Sequence, residues 1–248
     1  MSVTKISFLT LLSAIALGSA GQLQAATLVW DSFDTRVNGT VGLDNFSSTG
    51  NGSIKFTTNG AADKASVLFH TSPAAPLGAL GDLNQVSAQF YHPSSNNTIP
   101  ANGTLAVRLW TNPAGTQALV WEAAYNAPVP EDVWVNANLI GDDFWQRANG
   151  VNHDQINNLA TLPAWAAGFT PVGTGATLSP TTPIYGVQVS FGSGISGDFV
   201  AYLDQLTIGF GGASPEVYTS AIPEPATFGL AGIAAIGMIA VRRRQRQA

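Results

Sequence analysis

Apolar and polar residues alternate with a period of two along much of this chain. Thr104 to Trp110 (TLAVRLW) places Leu105, Val107 and Leu109 on one face and Ala106, Arg108 and Trp110 on the other. Val133, Val135, Ala137 and Leu139 alternate with Trp134, Asn136 and Asn138, and Tyr185, Val187, Val189 and Phe191 alternate with Gly186, Gln188 and Ser190. This is the pattern of a half-buried strand, whose side chains point to opposite faces in turn. Thr27 to Phe33, Ser53 to Thr58, Ala65 to Phe69, Val86 to Tyr91, Gln117 to Ala124 and Phe199 to Phe210 are further candidates. With 26 Gly, 14 Pro and only 10% charged residues, the chain is rich in turn formers and poor in surface-helix formers. The predicted fold is all-β, an antiparallel sandwich over residues 27–212.

Two stretches depart from that rhythm. Asn152 to Ala167 (NHDQINNLATLPAWAA) has Ile156, Leu159 and Ala160 at helical spacing, which predicts a short helical insertion starting near Asn152 and ended or restarted at Pro163. Ala213 to Ile222 has no apolar pattern and reads as a linker. Gly192 to Gly197 matches GxGxxG after a strand, but a strand follows instead of the helix a pyrophosphate needs, so a hairpin loop is expected. Asn38, Asn45, Asn51, Asn96 and Asn102 head Asn-x-Ser/Thr triplets and read as turns.

The two ends are addressed elsewhere than the cytosol. Lys5, the apolar run Ile6 to Leu17 and the small residues up to Ala25-Ala26 have the layout of a secretory signal peptide, residues 1–26. There is no cysteine, so an exported domain must be held by its core, or by a metal ion. Five basic and fourteen acidic residues fall in 27–221, a net charge of −9, which excludes an electrostatic footprint for nucleic acid. At the other end, Ala226 to Val241 is uncharged over 16 residues, about 24 Å as a helix against about 30 Å of hydrocarbon. Arg242, Arg243, Arg244 and Arg246 follow and would stay cytoplasmic, leaving the body outside.

Pro223-Glu224-Pro225, the apolar segment 226–241 and the arginines 242–246 together resemble the sorting signal of PEP-CTERM proteins of Gram-negative bacteria. The resemblance, confined to about the last 27 residues, implies an exosortase partner, transient anchoring in the inner membrane, and release of the body to the cell surface or extracellular polysaccharide matrix. Ala201 to Ile208 (AYLDQLTI) resembles the last strand of jelly-roll carbohydrate-binding modules and lectin-like sandwiches, families that pair it with a strand near the mature N-terminus, here Leu28 to Phe33.

Candidate sites follow. Trp110 and Trp134 fall opposite their strands' aliphatic residues, beside Arg108, Asn136 and Asn138; an exposed indole among amide and guanidinium groups suits a pyranose, whose C–H face needs an apolar platform and whose hydroxyls need fixed partners. Trp30, Trp121 and Trp165 read as core. Strict alternation puts Asp204 with Val200, Tyr202, Leu206 and Ile208 on the apolar face, where a lone carboxylate is costly. A bulge, backbone donors or a cation would resolve that. The jelly-roll resemblance implies a structural calcium, for which Asp31, Asp34 and Asp204 are the candidate ligands. His70, His92 and His153 lack ligand spacing, and no nucleophile motif is present. Glu122, Glu131, Asp132, Asp142 and Asp143 are the carboxylates from which a polysaccharide hydrolase would draw its pair, though Trp121-Glu122-Ala123-Ala124 lacks the second acid of the sandwich glucanases. The leading expectation is a non-catalytic exported sandwich that binds polysaccharide; the alternative is a secreted hydrolase.

Overall fold

In a computed structural model that describes residues 29–61, 63–70, 74–95, 105–126, 130–153, 158–172, 175–192, 196–212 and 215–219, the alternating segments sort into two antiparallel sheets. The segments expected to be a signal peptide and a sorting signal lie outside the described residues. The larger, eight-stranded sheet runs β1 (Val29–Ser32), β4 (Ala65–His70), β14 (Gly186–Phe191), β7 (Leu105–Trp110), β8 (Ala118–Glu122), β10 (Asp143–Ala148) and β11 (Val151–His153), with β12 (Ala160–Thr161) also on β10. The six-stranded sheet runs β2 (Thr40–Asp44), β3 (Ser53–Ala61), β15 (Ser196–Phe210), β6 (Leu83–Tyr91) and β9 (Trp134–Asn138), with β16 (Glu216–Thr219) on β15. A separate ribbon joins β5 (Gly78–Ala79) to β13 (Pro183–Ile184), and two short helices, α1 (Ala123–Asn126) and α2 (Leu162–Ala166), sit at strand ends.

The core lies between the sheets and follows the alternation. Val67, Phe69, Leu105, Val107, Leu109, Val187, Val189 and Phe191 point inward from the larger sheet, and Ile54, Phe56, Val86, Phe90, Phe199, Ala201 and Leu203 from the smaller. Phe191 bridges the layers, 4.8 Å from Phe56 and 5.4 Å from Phe199 between ring centroids. Burial of each such side chain contributes about 1.5–3 kcal/mol, which is how a chain without disulfides holds together. The late strands β14 and β15 occupy the middle of the two sheets, so each sheet closes only when the C-terminal third of the body arrives.

The nine expected strands are present, and four local expectations are corrected. β1 pairs β4 in the larger sheet and not the last long strand, which pairs β3 and β6. The glycine-rich stretch after Phe191 is not a hairpin, because β14 and β15 belong to different sheets. Gly192 opens that crossover at φ 91°, where an added Cβ would stand 2.9 Å from the Asp63 carbonyl oxygen. Helix α2 starts at Leu162 and not near Asn152, which lies in β11; of the two roles expected of Pro163 it takes the second, restarting the helix from its first turn, where the missing N–H costs nothing. The segment 213–222 is more than a linker, since Glu216–Thr219 pairs Gln205–Ile208 as an edge strand. Strands β2 and β10 were not anticipated, because TVGLD and DFWQRA carry no clean apolar alternation.

Candidate functional site

The outer face of the six-stranded sheet is ordered in rows by strand register. Tyr202 on β15 opposes Tyr91 on β6, which opposes Trp134 on β9; one step along, Gln205, Gln89 and Asn136 align, and one step further Thr207, Ser87 and Asn138. An aromatic row is therefore followed by an amide row and a hydroxyl-amide row. Strand spacing of about 4.8 Å and about 6.7 Å per two residues give this surface the dimensions of a short sugar chain.

Phe46, from the turn between β2 and β3, completes the aromatic row. Its ring stands 4.8 Å from Tyr91 and from Tyr202, edge-on to both, and stacks at 24° on Trp134 with centroids 5.5 Å apart. Tyr91 and Trp134 are 5.5 Å apart, and Lys55 Nζ stands 5.7 Å from the Tyr202 centroid. Phe46 is 41% exposed, and Tyr91, Trp134 and Tyr202 are half-buried, so the rings form a surface cluster and not a second core. Each pair adds about 0.5–1.5 kcal/mol beyond area burial.

Asp204 holds that turn in place. Register slips between Leu203 and Gln205, leaving Asp204 as the extra residue of a bulge. The bulge switches the phase of β15: Phe199, Ala201 and Leu203 face the core before it, Leu206 and Ile208 after it, and Tyr202 turns outward. Asp204, fully buried, accepts from the backbone N–H of Ser48 (2.7 Å) and Thr49 (3.0 Å) and from both hydroxyls. Ser48 Oγ is also 2.7 Å from Gln89 Oε1, so the hydroxyl lies between the carboxylate and the amide oxygen. Inside the turn, Ser47 Oγ accepts from Gly50 N and Gly52 N, and Ser53 Oγ donates to the Phe46 carbonyl. Gly50 and Gly52 adopt φ 83° and 95°.

Polar groups flank the rings. Asp132, at φ 60°, accepts from Ser94 N (2.9 Å) and Ser94 Oγ (2.5 Å), with Tyr91 Oη at 3.4 Å. The Ser94 hydrogen bonds hold the Asp132 carboxyl below its ordinary value, while desolvation and then the Asp132 charge push the Tyr91 phenol up. Beyond the amide row, Asn84, Gln85, Ser87, Asn136, Asn138 and Ile140 line an open depression of about 380 Å³. The face thus offers apolar ring surface at one end and amides and hydroxyls at the other, under a neutral-to-acidic field.

The structure divides the sequence-derived candidates between the two sheets. Trp134, Asn136 and Asn138 stand on this face, half-buried, exposed and exposed. Arg108 and Trp110 do not join them: they lie on the outer face of the larger sheet, where Trp110 is 4% exposed, bonds Gln188 Oε1 through its indole N–H at 3.1 Å, and is capped edge-on by Phe33. A roof of Tyr125, Leu159 and Tyr185 packs on that layer, so Trp110 offers no platform. The three calcium candidates also separate. Asp204 is saturated by the turn, Asp34 is hydrogen-bonded to the buried Lys64 ammonium, and Asp31 sits 2.9 Å from His70 Nε2. Among the described residues no three His, Asp or Glu side chains form a metal-sized group, so these residues do not fit the calcium that the resemblance implies.

The five hydrolase carboxylates sit in different local contacts, although the backbones of Glu122 and Asp143 come together, since Asn126 Nδ2 donates to both of their carbonyls at 3.0 and 3.1 Å. Glu122 lies on the outer face of the larger sheet, Asp142 accepts from the Trp121 indole at 2.9 Å, and the backbone of Asp143 is bonded by Asn126. Glu131 is 3.7 Å from His92 Nδ1, and Asp132 is engaged by Ser94. Phe46, Tyr91 and Tyr202 were missed as site residues. Tyr91 ends an apolar run, strict alternation put Tyr202 on the apolar face, and Phe46 lies in a turn, where no periodicity exists.

Comparison with known proteins gives two findings. Residues 221–244 match the PEP-CTERM protein-sorting motif, so the C-terminus carries an exported protein's sorting signal. No curated protein matches the chain. Among solved structures, the family 11 carbohydrate-binding module of a cellulosomal cellulase of Clostridium thermocellum superposes with a TM-score of 0.38 at 13% identity, over 70% of this chain and 86% of that one. A second structure of that module, in complex with a β-1,3-1,4-mixed-linked tetrasaccharide, gives 0.38 at 13% over 70% and 87%. The glycoside hydrolase domain of Endo-D from Streptococcus pneumoniae R6 gives 0.37 at 14%, covering 75% of this chain and 22% of that one. Similarity this distant says nothing of what this chain binds.

Proposed function

We propose that this chain is a non-catalytic polysaccharide-binding protein of the cell surface or extracellular matrix, delivered by an exosortase that acts on its PEP-CTERM signal after transient anchoring in the inner membrane. The observation that carries this reading is the graded outer face of the six-stranded sheet: the partly exposed rings Phe46, Tyr91, Trp134 and Tyr202 in one row, with Gln89, Gln205, Asn136, Ser87 and Asn138 behind them. A pyranose ring packs its C–H face on such rings and its hydroxyls pair with amides held by the sheet. A neutral glucan suits the site, because the rows behind the rings offer uncharged amides and hydroxyls.

The test is affinity electrophoresis and calorimetry of the full-length protein with soluble β-glucans, xylan and mannan. Saturable binding to at least one, abolished by Trp134→Ala, supports the reading. Retention of affinity in Trp134→Ala and Tyr202→Ala, or binding to none of them, overturns it. Sugar release without added enzyme would instead support a hydrolase.

A further inference from the structure

The depression at the far end of the six-stranded sheet's outer face has a chemistry of its own. It holds about 380 Å³ and is lined by Asn84, Gln85, Ser87, Asn136, Asn138 and Ile140, none of them charged. All six meet solvent: Asn84, Asn136 and Asn138 are exposed, and Gln85, Ser87 and Ile140 are half-buried. Asn84 Nδ2 donates to the Gly211 carbonyl (2.7 Å), and Asn138 Oδ1 accepts from the Ile140 N–H (3.3 Å). That leaves Asn84 Oδ1, Asn138 Nδ2 and the side chains of Gln85, Ser87 and Asn136 with no hydrogen bond among the described residues. An amide offers a donor and an acceptor side by side, and a sugar hydroxyl is both, so uncharged hydroxyls suit this lining.

Register places the depression relative to the rings. Outward positions run Tyr91, Gln89, Ser87 and Gln85 along β6, and Trp134, Asn136 and Asn138 along β9. At about 3.3 Å per residue, the Ser87 and Asn138 row lies about 13 Å from the Tyr91 and Trp134 row. One pyranose cannot bridge that separation, and an oligosaccharide can. Two directions are open to such a chain. Across the strands it would follow Trp134, Tyr91 and Tyr202, but Phe46 stands against all three rings with centroids 4.8–5.5 Å away, and Lys55 Nζ lies over Tyr202. Along β9 the way is clearer. The Phe46 turn touches β6 at Gln89 through Ser48 and leaves Asn136 and Asn138 exposed.

We infer that the depression is the second half of a single oligosaccharide site, in which an uncharged β-linked chain lies along β9 from Trp134 to the amides around Asn138. The inference rests on the ring face being a glycan site, as proposed above, and adds the direction of the chain, its length and the residues that select it. A β-linked chain is extended and matches a straight strand, whereas a coiled α-linked chain soon leaves that line. Rings grip any sugar face, while fixed amides discriminate, because a hydroxyl displaced by epimerisation leaves a polar group unpaired.

The experiment is calorimetry of the full-length protein with cello-, xylo- and manno-oligosaccharides of two, four and six residues, and with maltohexaose. In the series that binds, affinity is expected to rise about tenfold or more from the disaccharide to the longer chains, with maltohexaose no tighter than the disaccharide. Gln85→Ala and Asn138→Ala should remove most of that rise and leave disaccharide affinity unchanged, whereas Trp134→Ala should weaken every length. Melting temperatures are compared, since Asn138 also accepts from the Ile140 N–H; Gln85→Ala, which breaks no hydrogen bond among the described residues, decides the matter if Asn138→Ala is unstable. Equal affinity at all lengths, an undiminished rise in both variants, or maltohexaose as tight as the β-linked hexamer overturns the inference and leaves the ring face a glycan site. Binding to none of the oligosaccharides also overturns it, and the polysaccharide titrations then decide the ring face alone.

Discussion

Asp204 and Ser48 are 156 positions apart and are joined twice: both the backbone N and the Oγ of Ser48 stand 2.7 Å from Asp204 Oδ2. The bulge in β15 thereby anchors the turn that carries Phe46 into the ring cluster. On the proposed reading, stability and ligand affinity meet in this one carboxylate, which is a positioning residue and not a contact residue.

Asp204→Ala leaves two backbone N–H groups and two hydroxyls without their acceptor. A loss of about 3 kcal/mol in unfolding free energy is expected, because hydrogen bonds to a charged group contribute about 1.5–3 kcal/mol each and the released turn regains water. Glucan affinity should fall with it, whereas Phe46→Ala should lose affinity while keeping most of the stability. Urea denaturation and calorimetry on the two variants separate these effects; equal stability of Asp204→Ala and wild type would refute the anchoring role.

Trp110 and Trp134, equivalent by alternation, should behave oppositely. Trp110→Ala empties a buried site and breaks the bond to Gln188, with an expected cost of about 3–5 kcal/mol and intact glucan affinity in the folded fraction. Trp134→Ala should cost about 1 kcal/mol, from lost ring pairs, and remove glucan binding. Thermal melts paired with binding isotherms check both.

Lys64 makes stability depend on alkaline pH. Burial, with Arg108 beside it, lowers its pKa from 10.5 to about 8 despite the Asp34 partner. Between about pH 8 and 10 the unfolded chain holds a proton that the folded chain has released, so raising pH favours folding across that window. Unfolding free energy should rise by about 2 kcal/mol from pH 8 to 9.5. Denaturant titrations in Lys64→Met should show this slope removed; an unchanged slope would assign it to another group.

Chelation should leave the melting temperature where it was. Asp31, Asp34 and Asp204 each answer to a different partner, His70, Lys64 and the Ser48-Thr49 turn, so removing divalent ions takes nothing from them. A ligand bound only to the folded state must stabilise it, and a drop of several degrees in EGTA would reveal a calcium ion held elsewhere.

Period-two alternation made the body legible as a sandwich, and it placed Trp134, Asn136 and Asn138 outward on β9 correctly. It failed at Asp204, where one inserted residue shifts the phase of everything around it, so that Tyr202 faces out where strict alternation faced it in. It also assigned Trp110 and Trp134 to equivalent outer faces, since alternation distinguishes inside from outside within a strand and carries no information on what roofs the sheet. Phe46 had no local signal, because its place depends on a carboxylate far along the chain.

The residue order alone established the strands, the acidic body and the C-terminal sorting motif, because those are properties of short windows: periodicity, charge count and a motif at 221–244. Which strands are neighbours, which aromatic rings meet and which cations share a face required the folded chain. Each of those depends on contacts between segments tens to more than a hundred residues apart, and such pairings are decided by how the two sheets bury their inner faces together.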